Sequence, residues 1–227
     1  VTARICVSIL PKTTQEALRL IEKAEDAHAD FIEVRLDSFE NSQELAELAR
    51  QGKTPKIATI IPISNNGKFS GTEAEGQRIL LDAAKSGFAY VDAELSTPNL
   101  TEFVGHVKAD GAKPIVSFHD FHGSLSLQEL NGILEREISS GADVCKIVTT
   151  AKQVEDNLPL LNFTLASSQK AKVVCFAMGE HGKISRLLSP VFGGFFAFAS
   201  LERGSETASG QMTIQEMESV YKVLGLK

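Results

Sequence analysis

Eight short runs of β-branched and other apolar residues recur along the chain, at residues 5–9, 31–36, 56–60, 90–95, 115–118, 144–148, 173–176 and 195–198. Their length and composition predict strands, and intervals of roughly 25 to 30 residues leave room for one helix between most successive strands. The intervening segments carry helix-start chemistry. Thr13, Thr72, Ser126 and Thr213 each stand three positions before a glutamate, at Glu16, Glu75, Glu129 and Glu216. In that capping box the hydroxyl and the carboxylate satisfy N–H groups that the first helical turn leaves unpaired. Gly52, Gly87, Gly111 and Gly141 follow the helical stretches, where a chain leaving a helix for a strand needs a left-handed residue. No linker rich in Pro, Gly or Ser divides the chain, so one domain is expected over residues 1–227. Eight strands of similar length favour a closed parallel (β/α)8 TIM barrel over an open doubly wound sheet. The glycine fingerprint of dinucleotide-binding sheets is missing after the first run, where Leu10-Pro11-Lys12-Thr13 stands.

Several polar residues break the apolar pattern, and in a barrel those near the C-terminal ends of the strands are the candidates for chemistry. Lys146 lies inside Val144-Cys145-Lys146-Ile147-Val148, a run suited to burial on both faces. Burying an ammonium without a partner is costly, and the expected relief is a depressed pKa that leaves a neutral amine able to attack a carbonyl. Glu33, Arg35 and Asp37 share one face of the second run, as an ion-pair layer or as contacts to a polar ligand. His119 ends the fifth run, where an imidazole can take and return a proton near neutral pH. A metal site at His119-Asp120-x-His122 is disfavoured, because consecutive strand-end residues diverge and no third ligand has suitable spacing. After the seventh run, the turn through Gly179 and Gly182 leads to a helix start near Ile184, whose N–H groups would attract an anion. Arg186 there could grip a carboxylate with two parallel bonds. Thr207 and Gln211 fall in a small polar loop after the eighth run, and residues 205–210 suit a lid.

Composition narrows the partner. The hydrophobic content of 43% is ordinary for a globular protein, and the net charge of −6 comes from 23 basic and 29 acidic residues with no basic block. That balance argues against nucleic acid or a membrane surface and points to a small molecule. No apolar run approaches the roughly 20 residues of a membrane span, and no leader pattern opens the chain. A soluble cytoplasmic protein is expected. Cys6, Cys145 and Cys175 each lie in an apolar run and are expected to be buried reduced thiols.

Taken in order, "VSI" at 7–9, "EVRLD" at 33–37, "HDF" at 119–121, "GADVCKI" around Lys146, "MGEHGKISR" ending at Arg186, "VFG" at 191–193 and "TASGQ" at 207–211 resemble the type I 3-dehydroquinate dehydratase family over nearly the whole chain. The resemblance implies a metal-free, cofactor-free lyase of the shikimate route to aromatic amino acids. In it, Lys146 would form an imine with the C3 ketone of 3-dehydroquinate, and His119 would move the C2 proton to the departing C1 hydroxyl. Arg186, Thr207 and Gln211 would hold the substrate carboxylate region, Glu33 and Arg35 its ring hydroxyls, and Ser8 would line the same pocket. The chain departs from the family pattern at Ile61, where an arginine that binds substrate is usual, and at Asn65, where a glutamate that supports the histidine is usual. Lys68 is a candidate replacement for the lost charge. Thr207 and Ser209 stand where serine and proline are usual. A class I aldolase acting on a phosphorylated sugar and a non-catalytic carboxylate-binding barrel are the alternative readings, and association into a homodimer is left open.

Overall fold

The computed structural model describes residues 3–39 and 44–226. Its eight strands are β1 (Ile5–Ile9), β2 (Phe31–Arg35), β3 (Lys56–Thr59), β4 (Tyr90–Glu94), β5 (Lys113–His119), β6 (Val144–Thr150), β7 (Val173–Met178) and β8 (Ala197–Ala199). Between and after them run α1 (Thr14–Asp26), α2 (Leu45–Arg50), α3 (Glu73–Lys85), α4 (Leu100–Ala109), α5 (Leu127–Ser139), α6 (Asn157–Ser167), α7 (Lys183–Leu188) and α8 (Ile214–Val223). The strands pair in parallel in the order β7-β6-β5-β4-β3-β2-β1-β8. The Phe195 N–H donates to the Val173 carbonyl at 2.7 Å and draws the approach to β8 against β7. This is the (β/α)8 barrel expected from the alternation.

Period-two alternation sorts side chains into the barrel interior and the layer under the helices. The interior has a gradient along its axis. Its N-terminal end is apolar, with Cys6, Phe31, Ile57, Tyr90, Ile115, Val144, Val174 and Phe196 in one cluster. Two or four residues further along the same strand faces stand Ser8, Glu33, Arg35, Thr59, Asp92, Ser117 and Lys146, all buried. An aromatic floor closes the apolar end: the Phe31 ring lies 5.8 Å from Tyr90, 5.5 Å from Phe195 and 5.0 Å from Phe196. Phe196 in turn meets Phe198 edge-on at 5.2 Å. Rings at such separations add roughly 0.5–1.5 kcal/mol per pair beyond their buried area.

The floor explains why β8 starts two residues later than its apolar run. Phe195 and Phe196 look like strand residues, but they are used to close the barrel, and the ladder begins at Ala197 opposite Ile5. Three of the four expected capping boxes form in full, at Thr72, Ser126 and Thr213. At Thr13 only half forms, because the Glu16 carboxylate accepts from Lys12 instead of closing back on the cap. Gly141 leaves α5 at φ 92°, the left-handed exit anticipated for all four glycines. The three cysteines are free and buried, as expected. Among the described residues no helix is long and apolar enough to cross a membrane.

Glu137 contradicts the otherwise apolar layer between α5 and the sheet. It is completely buried, and neither carboxyl oxygen has a donor in good hydrogen-bond geometry, although the Cys145 thiol and the Lys146 N–H face it. Burial, assisted by the charges of Asp92 and Glu94, pushes its carboxyl up to about 10. The folded state therefore keeps a proton that the unfolded chain releases near pH 4.3, so stability falls as pH rises from there toward 10, by at most about 1.4 kcal/mol per unit. Glu137→Leu should flatten that slope, and urea midpoints at pH 5 and pH 8 measure it. An unchanged difference between the two midpoints would show that Glu137 does not cause the slope.

Candidate active site

The C-terminal mouth of the barrel holds a cavity of about 600 Å³ bordered by Lys146, His119, Glu33, Arg186, Thr207 and Gln211 among others. Lys146 enters from β6, only 4% exposed, with Nζ 2.7 Å from Asp92 Oδ2, 3.8 Å from Glu33 Oε1 and 4.8 Å from the centre of the Phe198 ring. Burial is the largest single influence and works to lower its pKa, but Asp92 and then Glu33 outweigh it and hold the amine above its ordinary value. This corrects the expectation of a neutral amine. Without a ligand the side chain is an ammonium, because two buried carboxylates need a cation as much as the lysine needs an anion.

Glu33 is tied on both oxygens. Oε2 accepts a short hydrogen bond from the Ser8 hydroxyl, and Oε1 accepts from Thr59 at 3.1 Å. Ser8 accepts in turn from the Thr207 hydroxyl at 2.8 Å, and Thr207 accepts from Gln211 Nε2 at 3.1 Å. Ser8 is 1% exposed and stands behind Thr207 and Glu33, so it supports the cavity wall without forming part of it. Arg35 borders the cavity, and its guanidinium donates to both oxygens of Asp37 at 2.8 and 2.9 Å. Asp37 Oδ2 also accepts the Lys68 N–H at 3.0 Å, which pins the loop after β3. The Lys68 side chain is exposed and lies outside the cavity lining, so it does not stand in for an arginine at position 61. Ile61 and Asn65 do border the cavity.

His119, at the end of β5, is held by Glu94: Nδ1 lies 2.8 Å from Oε2, and the His119 main-chain N–H donates to Oε1 at 3.1 Å. His122 is exposed, with its N–H donating to Asp120. Arg186 is 1% exposed; its guanidinium lies 4.2 Å from the centre of the Phe176 ring and donates from Nη2 to the Ser209 carbonyl at 3.2 Å. Its Nε has no partner, and burial pushes the guanidinium down to about 9, still cationic at neutral pH. Among the described residues that border the cavity it is the cation without an ion pair.

The turn before α7 differs from expectation. One of the N–H groups at the helix start, that of Ser185, donates to Asn157 Oδ1 at 2.9 Å, so this end of the helix offers less to a sugar phosphate. The loop carrying Thr207 docks on that turn. Gly210 has φ 77°, and a Cβ there would stand 2.3 Å from the Gly179 carbonyl oxygen, so only glycine allows the approach. The sequence reading missed Asp92 and Glu94. Their signal was the alternation Asp92-Ala93-Glu94 on one strand face, the same pattern that had marked Glu33 and Arg35.

Comparison with known proteins agrees with this geometry. The family model described as type I 3-dehydroquinase matches residues 5–227. A protein named 3-dehydroquinate dehydratase from Dehalococcoides mccartyi is 39% identical over 219 residues, covering 96% of this chain and 94% of the relative. The crystal structure of 3-dehydroquinate dehydratase from Geobacillus kaustophilus superposes with a TM-score of 0.91 at 25% identity, over 99% of this chain and 92% of that one. The type I enzyme of Clostridium difficile, solved with covalently modified comenic acid, gives 0.88 at 26% identity over 98% and 92%.

Proposed function

The chain belongs to the type I 3-dehydroquinase family of hydro-lyases, and on that premise we propose that it converts 3-dehydroquinate to 3-dehydroshikimate through an imine on Lys146. The observation that carries the reading is the placement of a buried lysine, a strand-end histidine and an unpaired arginine around one cavity. Arg186 binds the substrate carboxylate, and the ring lies over Lys146. The ammonium first gives up a proton, which ends on the C3 oxygen, and the neutral amine adds to the C3 carbonyl. Loss of that oxygen as water leaves an iminium whose positive charge takes the place of the ammonium between Asp92 and Glu33. The charge count of this pocket is therefore unchanged, and little reorganisation is needed.

The iminium acidifies the neighbouring C2 proton. His119 removes it, the electron pair moves toward nitrogen, and the same histidine returns the proton to the C1 hydroxyl as it leaves as water. A second water hydrolyses the iminium, releases the product and restores the ammonium. Glu33 and Gln211, with Thr207, orient the ring hydroxyls and the carboxylate. Arg35 borders the cavity, and the N–H groups it does not spend on Asp37 remain free to meet a ring hydroxyl. We place this activity in a single catalytic domain, in the cytosol, in the pathway to aromatic amino acids.

Borohydride reduction with 3-dehydroquinate tests the reading. Peptide mass spectrometry should locate a reduced adduct on Lys146, and substrate turnover should proceed without added metal. A folded protein with no adduct would sink the imine.

A further inference from the structure

β4 carries two carboxylates two positions apart, and each bonds a different reacting side chain: Asp92 holds Lys146 and Glu94 holds His119. Glu94 is fixed more firmly than a surface carboxylate. The parallel register sets it opposite Ser117, whose hydroxyl reaches Oε2 at 3.3 Å. The His119 main-chain N–H takes Oε1 at 3.1 Å, and the imidazole Nδ1 lies 2.8 Å from Oε2. The Glu94 side chain is 25% exposed and that of His119 is 12% exposed, so the pair is largely shielded from water.

An ionised carboxylate can only accept, so the atom it faces must carry hydrogen. That fixes the neutral imidazole with its proton on Nδ1 and leaves Nε2 bare. A second cavity, of about 190 Å³, lies behind the pair and shares His119 and Asn65 with the substrate cavity. Asn65 presents a neutral amide whose Oδ1 accepts from Ser64, so position 65 brings no negative charge to the histidine. Among the described residues Glu94 is the carboxylate bonded to His119.

We propose that Glu94 is the positioning residue of the proton shuttle. It locks His119 in the Nδ1–H form, aims Nε2 at the substrate, and supports the imidazolium that exists between removal of the C2 proton and its delivery to the leaving hydroxyl. This inference rests on the imine reading for the identity of the reaction, and it assigns to β4 a function that the loop after β3 does not perform in this chain. Glu94 touches no reacting atom. Its effect passes through the ring it orients, as with the carboxylate of a catalytic triad.

Glu94→Leu and the isosteric Glu94→Gln test it. The leucine variant should lower kcat by about 10²- to 10⁴-fold. The glutamine variant, which can still accept from Nδ1–H but carries no charge, should lower it by roughly 10-fold. KM should stay within about threefold in both, because binding is not altered. The borohydride adduct on Lys146 should form in wild-type yield. Nitrogen-15 NMR should show Nδ1 protonated in the wild type and in Glu94→Gln, and the Nε2–H form appearing in Glu94→Leu.

A kcat within about threefold of wild type in Glu94→Leu would overturn the proposal, as would an unchanged tautomer. So would an adduct yield that falls in step with kcat, since Glu94 would then act through the lysine or the fold. Absence of the adduct from the wild type is a separate failure: it removes the imine reading, while the two tautomer spectra still decide what Glu94 does to His119.

Discussion

Lys146→Met should reduce kcat by at least about 10⁴-fold and abolish the borohydride adduct, because no other amine borders the cavity among the described residues. The same substitution should also destabilise the protein. Asp92 and Glu33 are both buried, and Lys146 lies 2.7 and 3.8 Å from them. Removing the cation leaves two carboxylates facing each other without compensation, a situation that costs about 3–5 kcal/mol when one partner of a buried pair is deleted. Adding Asp92→Asn to the variant should restore most of that stability and none of the activity. Urea titrations of the single and double variants, with steady-state rates, separate the lysine's two roles. A Lys146→Met protein as stable as wild type would mean that the ion pair is not what holds this layer of the barrel.

Arg186→Met should have the opposite balance. The guanidinium is fully buried with Nε unpaired, and its surroundings supply one carbonyl and one aromatic face. An uncompensated buried cation is a liability in the empty protein, so the variant should melt at or above the wild-type temperature. On the proposed function the substrate carboxylate would be the missing partner, and losing the arginine should cost about 2–3 kcal/mol, or roughly 30- to 150-fold in KM, with much less effect on kcat. Thermal melts with and without a carboxylate analogue complete the comparison: ligand should raise the midpoint of wild type far more than that of the variant. A variant that is less stable and binds normally would assign Arg186 to the fold.

Most of the barrel was legible in the chain because the strands are largely buried on both faces and four of the helices begin with a side-chain cap. All eight strands fall where the apolar runs put them, to within two residues at each end. β8 shifted because side-chain type alone does not distinguish an aromatic used for a ladder from one used for a floor. At the site, Lys146, His119 and Arg186 stood out as polar residues in apolar or glycine-rich surroundings, and all three meet at the cavity. What sequence did not convey was which charges would find each other. Asp92 lies 54 positions before Lys146, so nothing local reveals that the lysine has a counter-ion and keeps its proton. Arg35 looked unpaired for the same reason; its partner Asp37 is near in sequence, but only the strand-end geometry turns the carboxylate back onto two of its donors. Ser8 was recognised as part of the constellation, yet its hydroxyl is used in the relay from Thr207 to Glu33.

The aromatic floor beneath Lys146 has a consequence for traffic through the enzyme. With Phe31, Phe195, Phe196 and Phe198 packed across the barrel, and Arg4 laid over Phe195 at 4.2 Å from below, the well is blind. On the proposed imine pathway, substrate, the two waters released, the water consumed and the product would share one doorway, beside the loop anchored at Gly210. A barrel open at both ends could admit hydrolytic water from below while the ligand sealed the top. Here, on the imine pathway proposed above, the water that frees the product must come in by the same doorway while the product is still attached, so that mouth has to pass water past a tethered ligand before it can pass the ligand itself.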